Sequence, residues 1–96
     1  MKIIYLKSFQ VRLNRQLSYI AYDSPVNARR FRDGLKKAIH ATKENPYINR
    51  RSIFFDDDNI RDLIYKGYII VYRINDKNIE VFGLSKYQLT PTDNGQ

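Results

Sequence analysis

The sequence predicts one α+β domain in which a strand, a helical hairpin and an antiparallel β-meander follow one another, in the order β-α-α-β-β-β. The chain has 96 residues, which is enough for a single hydrophobic core. Apolar residues recur at helical spacing in two early segments and cluster in β-rich runs in the last third. Because each element must bury its apolar side, the helices should pack on one face of the sheet.

The first strand is predicted at Lys2 to Leu6, a run rich in Ile and Tyr that ends at a polar break. Beyond this break the apolar residues recur every three or four positions, which predicts a helix that runs to about Tyr22. The inner face of this helix consists of Phe9, Leu13, Leu17, Ile20 and Ala21.

The second helix is predicted to begin at the boundary Asp23-Ser24-Pro25, where the serine can cap free backbone N–H groups and proline loses no hydrogen bond. It should end at Asn45-Pro46, since the residue before a proline is pushed out of the α region. Gly34 weakens it modestly. Its inner face consists of Ala28, Phe31, Leu35, Ala38, Ile39 and Thr42. So short a link between the helices predicts an antiparallel hairpin.

The β-meander is predicted from runs rich in β-branched and aromatic residues, which lie at Ile60 to Tyr65, Tyr68 to Ile74 and Ile79 to Leu84. The first two are separated only by Lys66-Gly67, a two-residue hairpin loop. The run Tyr68 to Ile74 is apolar on both faces, which predicts a central strand.

Two further segments border the meander. Ser52 to Phe55 is a candidate short strand, and Asp56 to Asn59 follows it as a turn. Residues 89–96 lack periodicity and are expected to form a flexible tail after a domain of residues 1–88. Periodicity leaves open which strand pairs with the first one.

The charge is strongly positive, with 17 Lys+Arg against 10 Asp+Glu and a formal net charge of +7. Nucleic acid, ribosomal RNA, an anionic membrane surface and an acidic protein would all be attracted to it. The chain has no cysteine, which excludes disulfides, a thiolate nucleophile and cysteine zinc sites and fits a cytoplasmic location. No run has the length of a signal peptide core or a membrane span, so no membrane partner is expected.

No cofactor or metal ion is expected. The run Asp56-Asp57-Asp58 lacks the helical flanks and the spaced ligands of a calcium-binding loop.

Three segments of the chain, in this order and spacing, carry a family resemblance. Asp23-Ser24-Pro25 is followed by Ala28 and Phe31, and Glu44-Asn45-Pro46 comes later. The run Asn59 to Ile74 combines an arginine-acidic-leucine strand, a tight turn and a Tyr-x-x-x-Tyr-Arg-Ile strand. From Lys2 to about Gln88 the chain resembles the RelE/ParE toxin superfamily of type II toxin–antitoxin systems, and is most similar to ParE-like members.

The resemblance implies a toxin that inhibits growth and that an acidic antitoxin neutralises by laying an extended or helical segment over its surface, in a toxin–antitoxin hetero-oligomer. ParE-like members poison DNA gyrase without a known nuclease centre. RelE-like members cleave mRNA on the ribosome without a metal, which is the alternative function. The resemblance also suggests that the first strand pairs with the C-terminal strands.

The candidate catalytic residues under the mRNA interferase alternative are Arg61, Arg73, Lys86 and Tyr87. Metal-free RNA cleavage requires an activated 2′-OH, a neutralised phosphate and a protonated 5′-oxygen, which basic and tyrosine side chains on one surface can provide. The same arginines can equally be paired or solvated charges on the sheet surface.

Departures from the RelE-like pattern favour the ParE-like function. Ile69 lies where both RelE-like and many ParE-like sequences carry an arginine, and Asp62 lies where RelE-like enzymes often carry a lysine. The run 84–88 also lacks the C-terminal histidine of several nuclease members. The missing arginine leaves open a third possibility, a non-toxic binding module of the same fold.

The second helix is unusually basic. Candidate residues for binding nucleic acid or the cellular target are Arg29, Arg30, Lys36 and Lys37. The simpler interpretation of this run is a solvated polar helix face.

Overall fold

The computed structural model describes residues 1–86 and confirms the α+β class. Its elements are β1 (Lys2–Tyr5), α1 (Lys7–Asp23), α2 (Pro25–Ala41), β2 (Arg50–Arg51), β3 (Ile60–Tyr65), β4 (Tyr68–Ile74) and β5 (Asn78–Lys86). The five strands form one sheet in the order β1-β5-β4-β3-β2, so β4 is central as predicted. Both helices pack on one face of this sheet.

Strands β3 to β5 form the predicted antiparallel meander, and the short β2 adds an antiparallel strand at its edge. β1 makes the sheet mixed. The loop between β3 and β4 is Lys66-Gly67, and both residues have positive φ, at 45° and 84°. β1 pairs in parallel with β5, from Lys2 opposite Asn78 to Tyr5 opposite Val81. This pairing agrees with the one that the resemblance suggests.

The helical hairpin begins and turns where the sequence indicates. Ser24 Oγ accepts a hydrogen bond from the Asn27 N–H at 3.1 Å, and Pro25 occupies the first turn of α2. The helices contribute Phe9, Leu13, Phe31, Leu35 and Ile39 to the main core. The sheet contributes Ile70, Tyr72, Ile74, Ile79, Val81 and Leu84. Among residues 1–86, no helix combines the length and apolar character that crossing a membrane requires.

Two predictions, the end of α2 and a strand at residues 52–55, are wrong, and side-chain hydrogen bonds explain both. α2 ends at Ala41 rather than near Asn45, because the buried Thr42 hydroxyl donates to the Ile39 carbonyl at 2.6 Å. Residues 52–55 are not a strand, since β2 comprises only Arg50–Arg51. The Ile53 N–H donates instead to Asp62 Oδ2 at 3.1 Å, and the Phe54 N–H donates to Ser52 Oγ at 3.2 Å. The predicted tail, residues 89–96, lies outside the described residues.

The face of the sheet away from the helices has a smaller apolar cluster of its own. Ile60, Ile69 and Val71 are buried there, and Phe82 packs against them. Phe55, from the segment between β2 and β3, meets Phe82 edge to face with ring centroids 5.6 Å apart. This segment therefore covers part of the outer face.

Tyr72 ties the connection after α2 to the central strand. Its side chain is 1% exposed, and its hydroxyl donates to the Pro46 carbonyl at 2.6 Å and accepts from Asn49 Nδ2 at 3.0 Å. Burial raises the pKa of Tyr72 above 10.0, and the Asn49 hydrogen bond and the Arg61 charge offset part of this rise. Asp62 adds to the rise.

Tyr72→Phe should lower the free energy of unfolding by about 1–3 kcal/mol, because it leaves two polar groups without their partner. Since the pKa of Tyr72 is raised in the folded state, the stability that its hydroxyl contributes is complete below pH 10.0. That stability is lost as the pH rises through the pKa of the folded state. Urea unfolding across the alkaline range measures both effects. An equal alkaline loss of stability in Tyr72→Phe and wild type would contradict this assignment.

The hydroxyl of Tyr5, unlike that of Tyr72, is buried without a hydrogen bond in the described part of the chain. Its ring stacks on Phe9 with centroids 5.7 Å apart, but its buried hydroxyl has no hydrogen-bond partner among residues 1–86. Tyr5→Phe keeps the stacking and removes this group, so it should be neutral or raise the free energy of unfolding by up to about 1 kcal/mol. In the same urea experiment, a loss as large as that of Tyr72→Phe would count against this prediction.

Gly34 lies where α2 approaches β3, against the end of the Tyr65 side chain. A Cβ placed there would lie 2.0 Å from the Tyr65 hydroxyl and 3.2 Å from its Cζ. Although alanine improves helix propensity by about 1 kcal/mol, Gly34→Ala should lower stability by about 1–3 kcal/mol because the phenol ring must move. The cost should be smaller in a Tyr65→Phe background, which urea unfolding of the four variants measures. Equal costs in both backgrounds would exclude the clash as the cause.

Candidate functional site

A groove runs between the two helices of the hairpin and is called the interhelical groove here. Two adjoining cavities of about 230 and 390 Å³ form it, and they share Asn14, Leu17 and Arg32. Its apolar floor consists of Phe9, Leu13, Leu17, Ala21 and Ala28. Its rim carries Arg29, Arg32 and Lys36. The groove therefore combines an apolar surface with positive charge along its edge.

The positively charged side chains of the rim make only weak interactions with the rest of the protein. Arg32 forms an ion pair with Asp33 at 3.1 Å, but the two side chains are 43% and 70% exposed, so this pair contributes little. The Lys36 ammonium lies 5.8 Å from the centre of the Tyr5 ring. An acidic partner can therefore approach these side chains without first breaking a buried ion pair.

The four basic candidate residues on α2, Arg29, Arg30, Lys36 and Lys37, lie on two different parts of the helix surface. All four are exposed. Arg29 and Lys36 line the interhelical groove, whereas Arg30 and Lys37 do not line it. Since the spacing is seven residues within each pair, the two pairs follow separate lines along one helix.

Arg61 holds the segment before β3 in place. Its Nε donates to the Asp58 carbonyl at 2.9 Å, and Nη1 donates to the Asn49 carbonyl at 3.1 Å. Its guanidinium also lies 4.9 Å from the centre of the Tyr47 ring. In this structure Arg61 therefore has a structural role.

Arg73 projects from the other face of the sheet. Arg61 is opposite Tyr72 and Arg73 is opposite Ile60, and paired residues share a face, so the two arginines point in opposite directions. Arg73 lies 3.8 Å from Glu80 and has its guanidinium 5.4 Å from the centre of the Phe82 ring. The structure does not bring the two arginines to one surface.

Lys86 lies at the other end of the sheet, in what is called the Lys86 cleft. It is opposite Tyr68, so roughly 17 Å of strand separates it from Arg73. The cleft has a volume of about 160 Å³ and includes Arg12, Arg15, Tyr68, Ser85 and Lys86 in its lining. Tyr87, the fourth predicted catalytic residue, lies outside the described residues.

Arg12 and Arg15 are the cleft residues that the sequence analysis missed. Both are exposed and lie on α1, one turn apart. Their spacing relative to the apolar stripe places them off the core face, which is the signal that could have identified them. Their proximity to Lys86 depends on how α1 lies along β5.

The two positions that depart from the RelE-like pattern are both buried. Ile69 is 3% exposed within the outer apolar cluster, and Asp62 is 1% exposed. Asp62 Oδ2 accepts from the Ile53 N–H and from Arg50 Nη2, the latter at 3.3 Å. Asp62 Oδ1 has no hydrogen-bond partner within residues 1–86. These side chains stabilise the covered outer face and do not present charge to solvent.

The acidic turn is likewise occupied by structural contacts. Arg51 forms ion pairs with Asp56 and with Asp58, the second at 3.3 Å. Within residues 1–86, no cluster of three or more His, Cys, Asp or Glu side chains is arranged to hold a metal ion.

Comparison with known proteins places this arrangement in a family. No curated protein matches the chain significantly. The model of the ParE toxin of type II toxin–antitoxin systems, parDE, matches residues 3–86. The match extends from β1 to the end of β5 and so includes the interhelical groove and the Lys86 cleft. The chain therefore belongs to the ParE toxin family of type II toxin–antitoxin systems.

Proposed function

We propose that this toxin inhibits growth by binding a cellular target such as DNA gyrase, and that a cognate acidic antitoxin neutralises it in a hetero-oligomer. Family membership makes the chain the toxin of a toxin–antitoxin pair and implies a protein antitoxin as its partner. The gyrase target and the mode of neutralisation are the proposed parts.

The observation that supports neutralisation best is the interhelical groove. An amphipathic acidic helix could lay its apolar side against Leu13, Leu17 and Ala28 and place carboxylates near Arg29 and Lys36. Opposite charges on the two proteins would accelerate their encounter. A domain this small also gains stability from any partner that binds only its folded form.

The positions of the candidate catalytic residues favour target binding over RNA cleavage. Arg61 and Arg73 project from opposite faces, and Lys86, on β5, is opposite the first residue of β4 at the other end of the sheet. A metal-free ribonuclease needs such groups around one phosphate. The interferase is therefore the second candidate, and a non-toxic binding module is the third.

Induced expression in a bacterial host tests the proposed activity. We expect growth arrest with gyrase-linked DNA breaks and intact transcripts. DNA supercoiling and messenger length, measured over time after induction, report these outcomes. Cleaved transcripts would instead establish the interferase. Normal growth at full expression would establish the non-toxic module.

Charge reversal on α2 tests the groove as the antitoxin site. Arg29→Glu/Lys36→Glu should weaken binding of the antitoxin about tenfold or more, because it sets acidic side chains against acidic ones at the rim. The matched control, Arg30→Glu/Lys37→Glu, makes the same charge change on the same helix but away from the groove. Calorimetry with the cognate antitoxin measures both. Equal weakening by the two pairs would rule out a specific role for the groove.

A further inference from the structure

One exposed face of α1 carries two arginines followed by two tyrosines and is called the α1 stripe here. Arg12, Arg15, Tyr19 and Tyr22 are spaced by three, four and three residues, which places them within an arc of about 80°. Tyr19 is 73% exposed and Tyr22 is 91% exposed. Side chains this open leave whole aromatic rings in water, where a flat partner can stack on them.

The α1 stripe continues into the Lys86 cleft. Arg12 and Arg15 line this cleft together with Lys86 and the hydroxyl-bearing Ser85 and Tyr68. No carboxylate lines it, and none of its three cations forms an ion pair within residues 1–86. Close like charges repel one another, and a bound anion would relieve that repulsion. A cleft of about 160 Å³ has room for several water molecules and so for a phosphate group.

We propose that the α1 stripe and the Lys86 cleft together bind single-stranded nucleic acid, with backbone phosphate at Arg12, Arg15 and Lys86 and bases stacked on Tyr19 and Tyr22. The cations and rings span about 15 Å along the helix, which suits successive nucleotides of one strand. An acidic protein helix would bind best where an apolar floor lies beside the charges, as in the interhelical groove on another side of α1. Beside the α1 stripe, apolar rings border Arg12, where Phe54, Phe55 and Phe82 line an adjoining cavity.

This inference does not rest on the proposed function. The groove residues of α1, Asn14, Leu17, Ser18 and Ala21, lie on a different arc of the helix from the α1 stripe. An antitoxin in the groove and a strand on the stripe therefore use separate surfaces. Binding of an oligonucleotide can be measured without gyrase, ribosome or antitoxin, so its failure is distinguishable from failure of the proposed activity.

Fluorescence anisotropy of labelled oligothymidylate and oligouridylate tests the proposal on the full chain made by cell-free synthesis. We expect both to bind more tightly than a duplex of equal length. Arg12→Gln/Arg15→Gln should weaken binding about tenfold or more and reduce the slope of log K against log salt by about 1.4, the value for two lost phosphate contacts. Lys43→Gln/Lys77→Gln removes two exposed positive charges that line neither the cleft nor the groove; it is the matched control and should change affinity less than about twofold.

The tyrosines provide a separate readout. Tyr19→Ala and Tyr22→Ala should each weaken binding about tenfold without changing the salt slope, whereas Tyr19→Phe and Tyr22→Phe should bind like wild type. All these side chains are exposed, so far-ultraviolet circular dichroism should be unchanged.

Three results would overturn the proposal. The first is no binding of either strand at physiological salt. The second is an equal loss of affinity in Arg12→Gln/Arg15→Gln and in the Lys43→Gln/Lys77→Gln control. The third is unchanged affinity in the tyrosine-to-alanine variants. Tyrosine-to-alanine variants that abolish toxicity while they bind oligonucleotides like wild type would assign the stripe to a protein partner instead. A preference for oligouridylate or for oligothymidylate would identify RNA or DNA as the ligand and would support the proposal.

Discussion

The parallel pairing of β1 with β5 is the constraint on which the rest of this structure depends. Parallel neighbours cannot be joined by a tight turn, so the chain must cross one face of the sheet before it returns. The α1–α2 hairpin provides part of that crossing, and the Leu6 N–H continues the pairing by donating to the Val81 carbonyl at 2.9 Å. α1 consequently lies along β5 and packs beside α2. The interhelical groove and the Lys86 cleft are both consequences of this placement.

The outer face of the sheet has an apolar cluster and a buried carboxylate beneath the segment between β2 and β3. Ile69 is buried in the outer apolar cluster, and the buried Asp62 carboxylate binds the Ile53 N–H. Both side chains therefore stabilise the segment that crosses this face. Arg61 is committed to neighbouring carbonyl groups, and Arg73 lies beside Glu80 and Phe82. Ile69 and Asp62 therefore stabilise the outer face, and Arg61 and Arg73 are engaged on opposite faces of the sheet.

The net charge of +7 arises from cations that lie on chemically different surfaces. Along the interhelical groove the cations border an apolar floor, an arrangement that suits an amphipathic acidic segment. In the Lys86 cleft the cations have polar neighbours and continue into exposed tyrosines, which suits phosphates and bases. Packing on α1 separates these surfaces, so a single basic chain can present two chemically distinct faces.

Local chemistry in the sequence determined most of the elements, because their causes lie within a few residues of each other. β3 and β4 begin and end where predicted, with Lys66-Gly67 between them, and Ser24-Pro25 begins α2. The predicted end of α2 and the predicted strand at 52–55 were wrong. In both places a side chain, that of Thr42 or of Asp62, takes up a backbone hydrogen-bonding group. The parallel partner of β1, the opposite faces of Arg61 and Arg73, and the meeting of Arg12 with Lys86 were decided only by tertiary structure. Each depends on strand register or helix placement between residues far apart in the chain, which periodicity within one segment does not encode.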